Sequence, residues 1–227
     1  MKSEKDVRGF KYMTRTKSIA ALIDIVEVQD EAGNLSSLKS VLNILRHTKS
    51  ITCLTLKYSF PPALRCLPMA QDQVFRNLTS LNVNAPHSAV TLFLMNHPHI
   101  THLVLGTCNA SNCPLTDSPL PLLQELSCPP GCVQALTSAG SCLTRLISFH
   151  GSPEDASFLM PHLLNFCTIQ SSSILTVLHV DFHHTTTSLL QRISAAAPAL
   201  TVLRLTESFF TVEVRHSVCD MDDHLMI

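Results

Sequence analysis

Eight short segments of the chain share one spacing of apolar residues. They are "IDIVEV", "ITCLTL", "LTSLNV", "ITHLVL", "LQELSC", "LTRLIS", "LTVLHV" and "LTVLRL". In each, an apolar residue is followed three places later by a second, and two places after that by a third, except that Ser148 takes the third place in the sixth segment. The last two positions are two apart, so they lie on the same side of a strand. A Thr follows the first apolar residue in six of the eight, which suits an extended backbone. The pattern predicts eight short strands centred on Val26, Leu54, Leu81, Leu103, Leu126, Leu146, Leu178 and Leu203. Between them the period changes. Apolar residues at helical spacing predict helices in "NLSSLKSVLNILRH", in "HSAVTLFLMNHP" from Ser88 to a stop at Pro98, and in "PPGCVQALTSAGS". Two more are predicted in "GSPEDASFLMPHLLNFC", with Ser152 as N-cap, and in "TTTSLLQRISAAAPA". The segments "SFPPALRCLPMAQDQ" and "NASNCPLTDSPLP" read as proline-rich loops in place of helices.

The strand centres recur every 20 to 32 residues, on average about 25. A period in the twenties with L-x-x-L-x-L is the leucine-rich-repeat signature. Each unit has an apolar flank that it cannot bury alone, and stacking units into a parallel sheet buries these flanks against one another. The expected fold is therefore α/β: a horseshoe-shaped solenoid of about eight irregular repeats, with a parallel sheet on the concave face and helices or loops on the convex face. We assign 1–18 to a basic, flexible N-terminal tail, 19–210 to the repeat domain and 211–227 to a C-terminal cap or tail.

The irregular units resemble the leucine-rich-repeat regions of F-box proteins, particularly the divergent fungal ones. The resemblance covers residues 19 to 210. It rests on "ITCLTL", "LTSLNV", "ITHLVLGTC", "LTVLHV" and "LTVLRL", and on "HPHITHLVL" and "APALTVLRL", where a proline ends a helix just before a strand. It implies the substrate-recognition part of an F-box-type ubiquitin-ligase receptor, with a protein partner destined for ubiquitylation. No Leu-Pro-containing F-box segment precedes the first repeat, so a Skp-type adaptor is expected only if an F-box lies upstream. The alternative is a stand-alone regulator that blocks a partner protein, as in the ribonuclease-inhibitor group.

Composition narrows the function classes. The 227 residues are 45% hydrophobic and 15% charged, which excludes a disordered chain. A net charge of −1 gives no global field to attract nucleic acid or an anionic membrane. No signal-peptide core and no apolar run of membrane-span length occur, and we expect a cytoplasmic or nuclear protein. The nine cysteines are then expected as buried free thiols. Catalytic motifs are absent, and no enzyme is expected.

Two groups of residues invite a metal. Cys108 and Cys113 form one pair and Cys128 and Cys132 another, but neither has the tight spacing usual in zinc sites. Cys108 falls on the Asn/Cys position that ends the repeat consensus. His97, His99 and His102 cluster in "HPHITH" and are read as exposed loop residues, like His183 and His184. No metal and no cofactor are expected. The period-two rule instead assigns a binding row to the concave face: Lys57, Asn82, Asn84, Val104, His179, Asp181 and Arg204. Its polar character with an apolar spot at the centre suits a protein partner.

Overall fold

The computed structural model describes residues 24–30, 45, 47–58, 73–106, 108, 113–117, 120–137, 143–148, 175–182, 189–207 and 211–215. Among these, nine strands form one sheet whose order follows the chain. They are β1 (Ile25–Asp30), β2 (Cys53–Tyr58), β3 (Ser80–Val83), β4 (His102–Leu105), β5 (Glu125–Cys128), β6 (Arg145–Ser148), β7 (Val177–Phe182), β8 (Val202–Glu207) and β9 (Thr211–Arg215). β1 to β8 are parallel, and β9 returns antiparallel along β8. The chain is thus α/β, with consecutive parallel strands side by side.

The register confirms the spacing residue by residue. Val26, Leu54, Leu81, Leu103, Leu126, Leu146, Leu178 and Leu203 form one continuous row across eight strands. From Leu54 to Leu178 these side chains are at most 1% exposed. Leu203 departs from the expectation and is only partly buried. It belongs to the last parallel strand, where no further parallel strand stacks beyond it among the described residues. The first apolar position of each unit, from Ile51 to Leu175, lies in the same core.

The threonines do more than favour an extended backbone. Thr79 Oγ1 donates to the Thr52 carbonyl at 3.3 Å, Thr101 Oγ1 to Thr79 at 3.1 Å, Thr144 to Gln124 at 3.2 Å, Thr176 to Thr144 at 3.2 Å and Thr201 to Thr176 at 3.0 Å. Thr52 opens this ladder on the Asp24 carbonyl. The same carbonyls accept two backbone N–H groups from the next unit, as when Thr101 and His102 both donate to Thr79. Each hydroxyl therefore helps to fix its strand to the one before it, just where the sheet begins.

Helices cover the apolar side. α1 (His87–Met95) follows β3, α2 (Pro130–Thr137) follows β5 and α3 (Leu189–Ala196) follows β7. α1 buries Val90, Phe93 and Leu94 against the strand leucines, and α2 buries Val133 and Leu136. After β4 a single 3₁₀ turn, Pro114–Asp117, takes the place of a helix and packs on α1 and α2 through buried Leu115. α1 begins one residue earlier than its pattern suggested: Pro86 is the N-cap, without a side-chain cap, and Ser88 lies inside the first turn. Pro86 takes an extended ψ of 135° and has no N–H to give, so the helix starts on the residue after it. At the other end Asn96 closes the helix and Pro98 follows.

The tail 1–18 and the expected helix at 151–167 lie outside the described residues, as does most of the expected helix at 34–47, of which Leu45 is buried. Among the described residues, no helix is long and apolar enough to cross a membrane.

Candidate functional site

The strand face opposite the helices carries one residue per strand in a continuous row. Glu27, Thr55, Asn82, Val104, Ser127, Ile147, His179 and Arg204 are register partners from β1 to β8. Lys57 and Asn84, next along β2 and just after β3, are exposed; Thr55, Asn82, Val104, His179 and Arg204 are half-buried. The expected binding residues therefore stand clear of the leucine row, with two reservations of geometry. Arg204 is half-buried, as is its neighbour Leu203, and Ser127 at the middle of the row is buried. The side chain of Asp181 lies outside those described. Two residues earlier along β5 and β6, Arg145 Nη1 lies 3.5 Å from Glu125 Oε2, a solvent-facing pair that orients both side chains and contributes little to stability.

The histidines of "HPHITH" separate. His99 and His102 are exposed as expected, and His102 Nδ1 lies 2.8 Å from Thr101 Oγ1. His97 is not a loop residue exposed to water: it is buried, and its ring stacks on Phe93 at 4.1 Å and on Phe75 at 5.7 Å. Its Nε2 accepts the Phe75 N–H at 2.9 Å, which leaves Nδ1–H to donate to the Phe93 carbonyl at 2.6 Å. The reason is its place one turn after Phe93 at the end of α1, on the face that turns inward.

A second cluster lies beyond the carboxyl ends of β3, β4 and β5. His87, Cys108, Cys113 and Cys132 bring four ligand atoms within 4.8 Å of one another. His87 opens α1, four residues beyond the end of β3, and Cys132 lies in the first turn of α2, four residues beyond the end of β5. Cys108 and Cys113 come from the intervening loop, Cys113 just before the 3₁₀ turn. His87 Nδ1 lies 3.3 Å from Cys113 Sγ and 3.4 Å from Cys132 Sγ. Its other nitrogen, Nε2, lies 3.3 Å from the Gly106 carbonyl. Gly106 is required by close approach: a Cβ there would lie 2.9 Å from Asn84 Cα and collide with the Asn84 side chain.

The sulfurs influence one another. A hydrogen bond from Cys132, aided by His87, draws the Cys113 thiol well down against the opposing effect of burial. The same contact, and then burial, pushes Cys132 up. Cys128, fully buried beneath the cluster, is pushed up by desolvation and by the nearby Cys113 and Cys108. The five described cysteines carry no disulfide.

No family model matches the sequence, and neither a curated protein nor a solved structure matches it.

The strand row was visible in the sequence through the period of two. The thiol–imidazole cluster was not, because its four members come from three successive units and His87 was paired with nothing nearby. The signal that finds it is position relative to the strands: His87 and Cys132 occupy the same place in units two apart, and Cys108 and Cys113 belong to the unit between.

Proposed function

We propose that the chain is a leucine-rich-repeat protein that binds another protein across its exposed strand face, and that it is not an enzyme. The observation that carries this reading is the unbroken register row from Glu27 to Arg204, one residue from each of eight parallel strands. Such a row offers a broad surface whose contacts add up along the sheet without a deep pocket. Its polar ends and half-buried Val104 suit a protein with a mixed surface. They suit nucleic acid poorly, since Lys57 and Arg204 are the row's cations and Arg145 already faces Glu125. In the fuller form of the proposal the chain recognises substrates for a ubiquitin ligase in the cytoplasm or nucleus; the second form is a stand-alone regulator that masks its partner.

The test compares the wild-type chain with a combined Lys57→Ala, Asn84→Ala, His179→Ala, Arg204→Ala variant whose circular dichroism and melting are unchanged. A protein captured by the wild type is expected to bind the variant at least about tenfold more weakly, the equivalent of about 1.4 kcal/mol. Co-recovery of a cullin and a Skp-type adaptor supports the ligase form, whereas a partner whose own activity falls on binding supports the regulator. Unchanged affinity of the folded variant would remove the strand face as the site.

A further inference from the structure

We propose that His87, Cys108, Cys113 and Cys132 bind a single zinc ion in a closed, structural Cys₃His site. The donor set is that of structural zinc: three thiols and one imidazole, with no carboxylate. The separations fit one ion. Ligands about 2.3 Å from zinc for sulfur and 2.0 Å for nitrogen stand roughly 3.5–3.8 Å apart in a tetrahedron. His87 Nδ1 is already 3.3 and 3.4 Å from two of the sulfurs, and all four donors lie within 4.8 Å. A small inward movement of the sulfurs completes the geometry. An iron–sulfur cluster, whose ligands sit on different irons, holds its protein donors further apart than this.

The surroundings point the same way. A metal-binding histidine usually donates its other ring N–H to a carboxylate or backbone carbonyl, which fixes both tautomer and orientation. His87 has that arrangement: Nε2–H is directed to the Gly106 carbonyl, and Nδ1 faces the sulfurs. His87 and Cys132 are buried, and Cys108 and Cys113 pack against the core, so the position is sheltered. On binding, three thiols release their protons, and three Sγ–Zn bonds and one Nδ1–Zn bond form without any change of oxidation state. All four positions are then taken by protein, which leaves no place for a reacting water. The ion would tie together the segments that follow β3, β4 and β5. It would stand where the connection between β4 and β5, a loop and one 3₁₀ turn, takes the place of a helix.

The test starts with the full wild-type chain, produced with a tag that contains no histidine. Elemental analysis is expected to find about one zinc per chain, surviving dialysis and released by a mercurial. Replacement by cobalt(II) should give the intense visible bands of a tetrahedral thiolate site. Cys113→Ser and His87→Ala should each lose most of the bound metal. Cys128→Ala, which changes a buried neighbour outside the donor set, should keep it. A strong chelator should lower the melting temperature of the wild type, and this measurement stands even where a ligand variant fails to fold. Folded wild type that takes up neither zinc nor cobalt would overturn the proposal. So would a Cys113–Cys132 disulfide in the freshly isolated chain, or retention of full metal by Cys113→Ser.

Discussion

Among single residues, His97 couples the fold to pH, because its ring is buried between Phe75 and Phe93 and both nitrogens engage backbone groups. Desolvation holds its pKa below the ordinary 6.5; the Phe93 carbonyl works against this, and His99 adds a smaller push downward. The neutral ring is what the native contacts require, since Nε2 must accept the Phe75 N–H. With the folded pKa below the unfolded one, the unfolded chain takes up the proton first as pH falls. The stability from His97 is therefore complete above about pH 6.5 and is lost as pH drops from there toward the folded value. We expect urea midpoints of the wild type to fall between pH 7.5 and 5, and those of His97→Phe to fall less. At pH 7.5 the variant should be destabilised by about 1–3 kcal/mol, because the buried Phe75 N–H loses its acceptor. Parallel pH profiles for the two proteins would show that His97 is not the group responsible. The sequence made this residue look like loop material because Pro98 follows it. Only the i, i+4 relation to Phe93 hinted at an inward ring, and nothing in the pattern disclosed the second partner, 22 residues away.

At the scale of elements, the strands were legible because their apolar positions repeat with a period that no helix shares. Every predicted strand centre from Val26 to Leu203 appears in one register row. The threonine that precedes the strand was legible as a preference, but its role was not, since the acceptor belongs to the preceding unit. Thr176 shows the role simply: its hydroxyl donates to Thr144 O at 3.2 Å, and its own carbonyl accepts from Thr201 at 3.0 Å. Thr176→Val keeps the shape and β preference but removes the donor. It should cost about 0.5–1.5 kcal/mol in denaturant unfolding, and Thr176→Ser should recover part of that. A Val variant as stable as the wild type would reduce the ladder to a packing preference. The cluster around His87 escaped sequence reading for a similar reason. Metal motifs are recognised by close spacing within one segment, whereas the parallel sheet brings together His87 and Cys132, each four residues after its strand but two strands apart, with Cys108 and Cys113 from the connection between them.

For the whole molecule, stacking makes stability depend on neighbours, because each unit buries its flank on the next. Central leucines have a unit on both sides, and Leu81, Leu103, Leu126 and Leu146 are fully buried. Toward the C-terminal end the core loosens: Leu200 and Leu203 are only partly buried, and Leu205 is 7% exposed. β9 pairs with β8 along its backbone, so the edge is hydrogen-bonded, yet its antiparallel return adds no further parallel unit. The same substitution should therefore have unequal effects along the row. Leu103→Ala should cost about 2–5 kcal/mol, through lost burial and the cavity left in a packed interior. Leu203→Ala should cost distinctly less, since part of its surface already meets water and the surroundings can close over the gap. Amide exchange should agree, with β3 to β5 protected up to the global unfolding limit and β8 opening at lower free energy. Equal losses for the two variants, with uniform protection from β3 to β8, would mean that the sheet unfolds as one indivisible unit and that position along the stack has no energetic meaning.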